Sequence, residues 1–223
     1  MVEPDAGIVV RQLGLCDYLG TLKAQQAFTR ARQFDDPDEF WIVEHPSVYT
    51  LGQAGKIEHV LDPRDVPVIR SDRGGQVTYH GPGQVVIYPL LNVKRCGMTV
   101  RGLVSSLERA VVSCLKEFGL KGETRSGAPG VYIDGRKIAA LGLRISRGYS
   151  YHGLSVNVAM DLAPFERINP CGYIDLRVTD LVREGVVVSP KQVSERLISA
   201  LKQEIFLART AETPIDKSSI GLS

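Results

Sequence analysis

Four cysteines are the strongest candidate nucleophiles of the chain, and the residues around them separate their roles. A catalytic thiol needs a loop that presents it and a neighbour that favours the thiolate. Cys114 lies on the apolar face of a predicted helix, which indicates a small core residue. Cys16 stands at the start of another predicted helix. Cys96 stands in a basic turn and is expected to be a surface thiol.

Cys171 has a different setting. It lies in the segment NPCGY, residues 169–173, where proline and glycine keep it out of regular helix and strand. A rigid loop of this kind can present a nucleophile. Single cysteines in loops are common, so the residues alone make Cys171 the best candidate and name no reaction. The four cysteines and four histidines show no Cys-x-x-Cys pair and no metal-ligand spacing, and no metal is expected.

A thiol with a pKa of about 8.5 is mostly protonated at neutral pH, so a catalytic cysteine needs a nearby base or cation. Strict alternation along a predicted strand places Lys137 on the same face as the apolar Ala139 and Ile145. A lysine on that face is costly unless it reaches a cleft or a partner. The alternative is a strand-end lysine that extends to solvent. His45 and His59 lie in segments without other site-like features and are expected to be structural.

The segment RGGQVTYHGPGQ, residues 73–84, has the highest density of residues that could hold a ligand. Paired glycines let a ligand approach the backbone, and Arg73, Thr78 and His80 add polar groups. It is neither a P-loop nor a dinucleotide fingerprint. A pair of turns around a short strand explains it equally well. Gly153 lies inside a predicted strand, where glycine marks either a close approach or a bulge.

The strands that position these residues are predicted from apolar runs at residues 8–13, 40–43 and 84–91. Pro89 places the last of these near a sheet edge. Asp134-Gly135 predicts a tight hairpin between strands at 131–133 and 137–145, and residues 150–158 are the expected next partner. Residues 44–72 hold scattered proline and glycine and are expected to be irregular loops.

Three helices complete the pattern, at residues 17–33, 99–118 and 189–206. The second has apolar residues at three- and four-residue spacing and ends at Gly119, and the third opens with a capping box at Ser189. This mixture lacks regular β-α-β alternation. It predicts one α+β domain with a mixed, mostly antiparallel sheet over residues 1–208. The polar tail, residues 209–223, is expected to be flexible.

Composition limits the class of protein. The 223 residues are 43% hydrophobic and 23% charged, which is typical of a globular domain and not of a disordered chain. No apolar run approaches the roughly 20 residues of a membrane span, and the first residues lack an apolar signal core, so a cytoplasmic location is predicted. A net charge of +2 does not indicate nucleic acid. The central basic residues suit an acidic partner or an ordinary solvated face: Arg70, Arg73, Lys94, Arg95, Arg101, Arg125, Arg136, Lys137, Arg144 and Arg147.

Taken in order, the segments resemble the lipoyl(octanoyl) transferase family. The matching stretches are WIVEHP at 41–46, YTLGQ at 49–53, RGGQVTYHGPGQ at 73–84, GAPGVY at 127–132, GRKIAALGLR at 135–144, YHGLSVNV at 151–158 and INPCGY at 168–173. The resemblance extends from about residue 10 to about residue 205. No single motif decides it, but the ordered set is highly specific.

The resemblance implies the fold of lipoate and biotin protein ligases. It implies transfer of an octanoyl or lipoyl group from acyl carrier protein to a lysine of lipoyl domains, in 2-oxoacid dehydrogenase E2 subunits and the glycine-cleavage H protein. Cys171 would be the acyl-thioester nucleophile, and Lys137 would hold its thiolate and act as acid or base. Ala140 stands where some members have serine. The substrate site would comprise Arg73, Gly74, Gly75, Gln76, Val77, Thr78, Tyr79, His80, Ala140, Leu141, Gly142, Gly153, Leu154 and Ser155.

In this family the donor is carried on the phosphopantetheine of acyl carrier protein, so neither ATP nor a metal cofactor is expected. No nucleic acid or membrane partner is expected either. Two alternatives stay open. One is an ATP-dependent lipoate or biotin ligase on the same fold, which would need no covalent cysteine. The other is a non-catalytic protein that binds lipoyl domains or acyl carrier protein.

Overall fold

The computed structural model describes residues 7–170 and 176–211, and this part of the chain forms ten strands and three α-helices. In chain order they are β1 (Ile8–Leu15), α1 (Tyr18–Ala31), β2 (Asp38–Glu44), β3 (Val48–Leu51), β4 (Val68–Arg70), β5 (Val77–His80), β6 (Gln84–Leu90), α2 (Val100–Glu117), β7 (Glu123–Thr124), β8 (Gly130–Ile133), β9 (Arg136–Ser146), β10 (Tyr149–Asn157) and α3 (Pro190–Ala211). Short 3-10 helices lie at Ile57–His59 and Ala163–Arg167. None of the helices described is long and apolar enough to cross a membrane.

Seven strands form the large sheet in the order β1-β2-β6-β10-β9-β8-β7. Strands β1 and β2 are parallel, and every other neighbouring pair is antiparallel. Alternate residues of β6 show the two faces. Val85 and Ile87 belong to the core under α2 and α3, whereas Val86 and Tyr88 belong to the core under α1. The predicted α+β class with a mixed, mostly antiparallel sheet is confirmed.

Local signals located several elements well. Helix α2 occupies almost all of the predicted range, and the Thr99 hydroxyl caps it by accepting the Gly102 N–H at 3.0 Å. The predicted hairpin forms with positive φ at both Asp134 and Gly135, as a tight two-residue turn requires. Ser189 and Gln192 make the predicted capping box. Helix α3 continues to Ala211, past its predicted end, and residues 212–223 of the tail lie outside the described part.

The expectation of irregular loops over residues 44–72 is wrong. Strands β3 and β4 lie there and join β5 in a three-stranded sheet of order β4-β3-β5. The four residues of β3 are all buried, so the apolar–polar alternation that marks a half-exposed strand is missing. This sheet packs through Tyr49 and Leu51 on Leu162 and Phe165.

Pro89 lies in a central strand, not near an edge, because β6 pairs with β2 on one side and β10 on the other. Side chains replace the ladder hydrogen bonds that are interrupted beside it. The Ser150 hydroxyl donates to the Pro89 carbonyl at 2.6 Å, and the Gln25 side chain accepts the N–H of His152 at 2.8 Å. A Cβ atom at Gly153 would collide with the Ile87 carbonyl. Gly153 therefore marks the close approach of another backbone.

Candidate active site

A cavity lies between the large sheet and the Gly-rich segment that leads into β5. It holds about 490 Å³, counting the part open to solvent. Of the fourteen predicted substrate-site residues, all of them described, twelve line it, and Gly74 and Tyr79 do not. The twelve are Arg73, Gly75, Gln76, Val77, Thr78, His80, Ala140, Leu141, Gly142, Gly153, Leu154 and Ser155. Their role in binding substrate stays a prediction.

The cavity has room because the sheet carries small residues where the Gly-rich segment covers it. Ala140 faces Ser155 across β9 and β10, and Gly142 faces Gly153. A Cβ atom at Gly142 would lie 2.9 Å from the Gly74 carbonyl oxygen. The N–H of Gly74 donates to the Leu143 carbonyl at 3.0 Å. Gly74 thus fastens the segment to β9.

Arg73 holds the Gly-rich segment in shape from within. Its guanidinium donates to the Thr50 hydroxyl at 3.0 Å and to the carbonyls of Thr50, Gly74 and Gln76 at 2.6, 2.9 and 2.7 Å. Its side chain is buried, as is that of Lys137, so the central basic residues do not form one solvated face. The geometry indicates that Arg73 shapes the wall of the cavity.

His80 is a neutral member of the cavity wall. Gln84 donates to the Tyr79 carbonyl at 3.3 Å and to the Asn157 side chain at 2.9 Å, so its amide oxygen accepts from Nδ1 of His80 at 2.7 Å. Burial, and after it the neighbouring His45, lowers the pKa of His80 to about 3. The imidazole therefore stays uncharged at neutral pH and contributes hydrogen bonding without charge.

Four further residues line the cavity that sequence patterns did not reveal: Tyr18, Val86, Tyr88 and His152. They come from α1, β6 and β10, and only the fold brings them together. His152 lies inside the recognised segment YHGLSVNV, but nothing in the sequence marked its side chain, and its φ of 55° in the middle of a strand is an uncommon backbone conformation. Such strain at a cavity wall is a signal of function that a sequence does not carry.

Asp72 fixes His152 at the edge of the cavity. Its carboxylate is 2.7 Å from Nε2 of His152 and also accepts the Tyr151 hydroxyl. Burial alone would raise the pKa of Asp72, but these hydrogen bonds outweigh burial and leave the pKa below its ordinary value. Burial lowers the pKa of His152, although Asp72 opposes that effect. The pair therefore holds the ring orientation of His152.

Lys137 faces the cavity side of the sheet, so the strict alternation used above is wrong at this point. Tyr132 pairs with Lys137 and Val131 pairs with Ala139, which leaves Ile138 as the extra residue of a β-bulge. Ile138 and Ala139 both enter the core under α2 and α3. The bulge turns Lys137 to the opposite side.

Lys137 lines a small second cavity that continues the first, because Thr78, Ala140 and Ser155 line both. Its Nζ donates to the Pro129 carbonyl at 3.0 Å and lies 5.3 Å from the centre of the Tyr132 ring. A side chain at Gly130 would collide with the end of Lys137. The glycine therefore leaves the space that the ammonium group occupies.

Cys171, the predicted nucleophile, lies outside the described residues, but the chain on both sides of it is placed. Pro170 and Val178 line the cavity of Lys137. The N–H of Lys137 donates to the Arg177 carbonyl at 2.8 Å, and the N–H of Thr179 donates to the Lys137 carbonyl at 3.0 Å. The segments before and after residues 171–175 are therefore held beside Lys137.

The other thiols are poor candidates. Cys114 is buried in the core as predicted, and burial raises its pKa to about 12. Cys96 is not a surface thiol, because Asp38 and Arg209 enclose it and burial raises its pKa to about 11. The basic neighbours of Cys96 in sequence gave the wrong indication, since the turn folds inward. Cys16 is half-buried and donates to the Leu13 carbonyl at 3.2 Å.

The two histidines expected to be structural have supporting contacts. His45 is fully buried between the Cys16 carbonyl at 2.6 Å and the Tyr88 hydroxyl at 2.7 Å. The carbonyl of His59 accepts the N–H of Asn169 at 2.8 Å. His59 thereby anchors the segment that leads to Cys171.

Comparison with known proteins identifies the family. The model of the lipoyl protein ligase A/B catalytic domain matches residues 17–202. A protein named octanoyltransferase from Alkalilimnicola ehrlichii is 58% identical, over 82% of this chain and 86% of its own. Another from Klebsiella pneumoniae is 56% identical, over 87% of this chain and 91% of its own. The chain belongs to the octanoyltransferase family. The resemblance given by the ordered motifs is confirmed.

The fold comparison agrees with membership in the octanoyltransferase family. The structure of a lipoate protein ligase from Thermoplasma acidophilum superposes with a TM-score of 0.71, covering 89% of this chain and 84% of that one. At 19% identity this likeness shows the fold alone. It confirms the predicted ligase-like fold.

Proposed function

We propose that this chain is an acyltransferase that moves an octanoyl group onto a lysine of an acceptor protein in protein lipoylation, through a thioester on Cys171. One observation carries the proposal. Lys137 lines the small cavity that continues the apolar one, beside the segments that precede and follow residues 171–175, in a chain whose relatives are named octanoyltransferase. A cation beside a thiol favours the thiolate, which is the reactive form.

The cavity suits an acyl chain. Val77, Val86, Leu141 and Leu154 contribute apolar walls, and each methylene buried there stabilises the complex by about 0.8 kcal/mol. Beyond Lys137, its cavity shares Phe165, Pro170 and Val178 with a wider opening. The exposed Arg177 and Arg183 border that opening. The donor therefore enters at the Lys137 end, and the acyl chain extends toward α1.

The chemistry then takes two steps. The Cys171 thiolate attacks the thioester carbonyl of the donor, backbone N–H groups stabilise the oxyanion, and the departing carrier thiolate takes a proton from the Lys137 ammonium. The acceptor lysine amine next attacks the Cys171 thioester. Lys137, now neutral, takes the proton that this amine loses, and the Cys171 thiolate departs. Thioester exchange is nearly isoenergetic and amide formation is downhill, so no ATP is needed.

The family suggests the partners. The donor is octanoyl-acyl carrier protein, whose acidic surface suits the arginines at the opening. The acceptors are lipoyl domains of 2-oxoacid dehydrogenase E2 subunits and the glycine-cleavage H protein, and the setting is the cytoplasm. No metal or nucleotide cofactor takes part in this scheme.

Intact-mass measurement after incubation with octanoyl-acyl carrier protein tests the proposal. We expect a gain of one octanoyl group, its loss in Cys171→Ala, and its retention in the matched variant Cys16→Ala. Adding a lipoyl domain should discharge the group onto that domain without ATP. Transfer that needs ATP and survives Cys171→Ala would indicate the ligase alternative. No mass gain and no transfer would indicate a binding protein.

A further inference from the structure

The cavity ends in a wall of three aromatic side chains. Tyr18, Tyr88 and His152 all line it, and their exposed fractions are 4%, 3% and 1%. These three side chains are buried, and the Lys137 end continues into an opening bordered by exposed Arg177. An acyl chain whose carbonyl lies near Lys137 therefore has its methyl end against these aromatic rings.

The separation of two lining residues on β10 is close to the length of the proposed acyl chain. Ser155 lines both cavities and marks the carbonyl end, and His152 lies three residues away on β10. At about 3.3 Å per residue this separation is roughly 10 Å. An extended octanoyl chain measures roughly 9 Å, given carbon–carbon bonds of about 1.5 Å. Two more methylenes would bring the chain into the wall.

Of the three, Tyr18 is the one that comes from a helix, whereas Tyr88 and His152 belong to central strands of the large sheet. The Tyr88 hydroxyl is bound to His45 at 2.7 Å in the buried core, and His152 holds a strained backbone. Tyr18 is the first residue of α1, stacks on His80 with 5.9 Å between ring centres, and shares a 2.8 Å hydrogen bond with Ser71.

The backbone at Tyr18 is held independently of its ring. The Asp17 side chain caps α1 by accepting the Gly20 N–H at 2.8 Å. Truncating the Tyr18 side chain therefore enlarges the cavity and leaves the cap of the helix in place.

We infer that Tyr18 sets the upper limit on the length of the acyl chain. This inference rests on the proposed function, since it presupposes octanoyl transfer and names the residue that makes octanoyl the preferred acyl chain. Removing the Tyr18 ring opens apolar space that a longer acyl chain can occupy and that the ring fills in the wild type.

Competition between octanoyl and decanoyl donors on the enzyme, read by intact mass, tests this inference. In Tyr18→Ala the decanoyl-to-octanoyl ratio of kcat/KM should rise about fifteen-fold, at about fourfold for each of the two buried methylenes. Tyr18→Phe keeps the ring and should keep the octanoyl preference. Leu22→Ala removes a buried side chain of the same apolar cluster, and Leu22 is not among the described residues that line the cavity, so it should also keep the preference.

An unchanged ratio in folded Tyr18→Ala, or an equal rise in Leu22→Ala, would overturn the inference. Should Tyr18→Ala fail to fold, Tyr18→Leu opens part of the same space, and the ratio should rise in the same direction. A wild type that transfers no octanoyl group refutes the proposed function instead. Calorimetric binding of octanoate and decanoate to the same variants then decides the role of Tyr18 on its own.

Discussion

Gly142 is a position where the cavity wall tolerates little change. It lies on β9 opposite Gly153, and an added Cβ atom would stand 2.9 Å from the Gly74 carbonyl oxygen. Carbon and oxygen in ordinary contact are about 3.5 Å apart, so Gly142→Ala must push the Gly-rich segment away from β9 by roughly 0.5 Å. The neighbour is backbone, which cannot rotate aside as a side chain would.

The displacement has two measurable consequences. The hydrogen bond from the Gly74 N–H to the Leu143 carbonyl, now 3.0 Å, would lengthen beyond a good geometry. Its loss should lower the free energy of unfolding by about 1 kcal/mol. In a domain of this size that corresponds to a fall in Tm of about 2–4 °C. Misplacement by about 1 Å can cost 100-fold in rate, so roughly half that shift should lower kcat/KM about ten-fold.

Octanoyl transfer to a lipoyl domain and thermal melting followed by circular dichroism measure both effects. Gly102→Ala is the matched control, because Gly102 lies in α2, where alanine is favoured over glycine by about 0.5–1 kcal/mol. Among the described residues outside its own helix backbone, the atom that its added Cβ would meet is the Thr99 hydroxyl, at 3.3 Å. The control should melt no lower than the wild type and transfer at the same rate. A Gly142→Ala variant with wild-type rate and Tm would refute the close-packed wall.

Three further predictions concern charge and thiol reactivity. Asp38→Asn should lower the free energy of unfolding by about 3 kcal/mol, because it leaves the fully buried Arg32, now 2.8 Å from Asp38, as an uncompensated cation; a fall in Tm below 2 °C would contradict this. Lys137→Met should lower octanoyl transfer at least about 100-fold with unchanged circular dichroism, and a wild-type rate would refute its acid–base role. At pH 8, iodoacetamide should label Cys16 before Cys96 in peptide maps, because burial raises the pKa of Cys96 to about 11 and the thiol stays protonated. Equal labelling of the two cysteines would count against the structure.

The elements that sequence patterns predicted best depend on neighbours in the chain. Helix α2 has its apolar stripe, its Thr99 cap and its Gly119 stop within 21 residues of one another, and the Asp134-Gly135 turn needs only two residues. Strand β3 was not predicted, because burial on both faces removed the apolar–polar alternation that identifies a half-exposed strand. The prediction that Pro89 lies near a sheet edge was wrong, because a central strand tolerates this proline through hydrogen bonds of Ser150 and Gln25, which are remote in sequence.

The residues of the candidate site also fall into those that sequence could indicate and those that only the fold reveals. The glycine-rich segment and Gly153 could be recognised from their residue types, because a binding wall made of backbone needs glycine. The residues Ala140, Leu141 and Gly142 of β9 were indicated only by the family resemblance. Tyr18 and Tyr88 could not be recognised, since an aromatic residue in a helix or strand has the same appearance whether it packs in a core or ends a cavity. Which of these occurs depends on how α1 crosses the sheet, and that is a property of the whole fold.

Lys137 shows how far a single backbone irregularity can decide a site. Without the extra residue Ile138, alternation would turn Lys137 to the side of Ala139, into the core under α2 and α3. An ammonium group there would cost several kcal/mol and would lie away from Thr78 and Pro170. The bulge therefore has two effects: it places an apolar side chain in the core, and it places the cation in the wall of the second cavity. A sequence with the same residue types but no bulge would keep the sheet and lose the proposed chemistry.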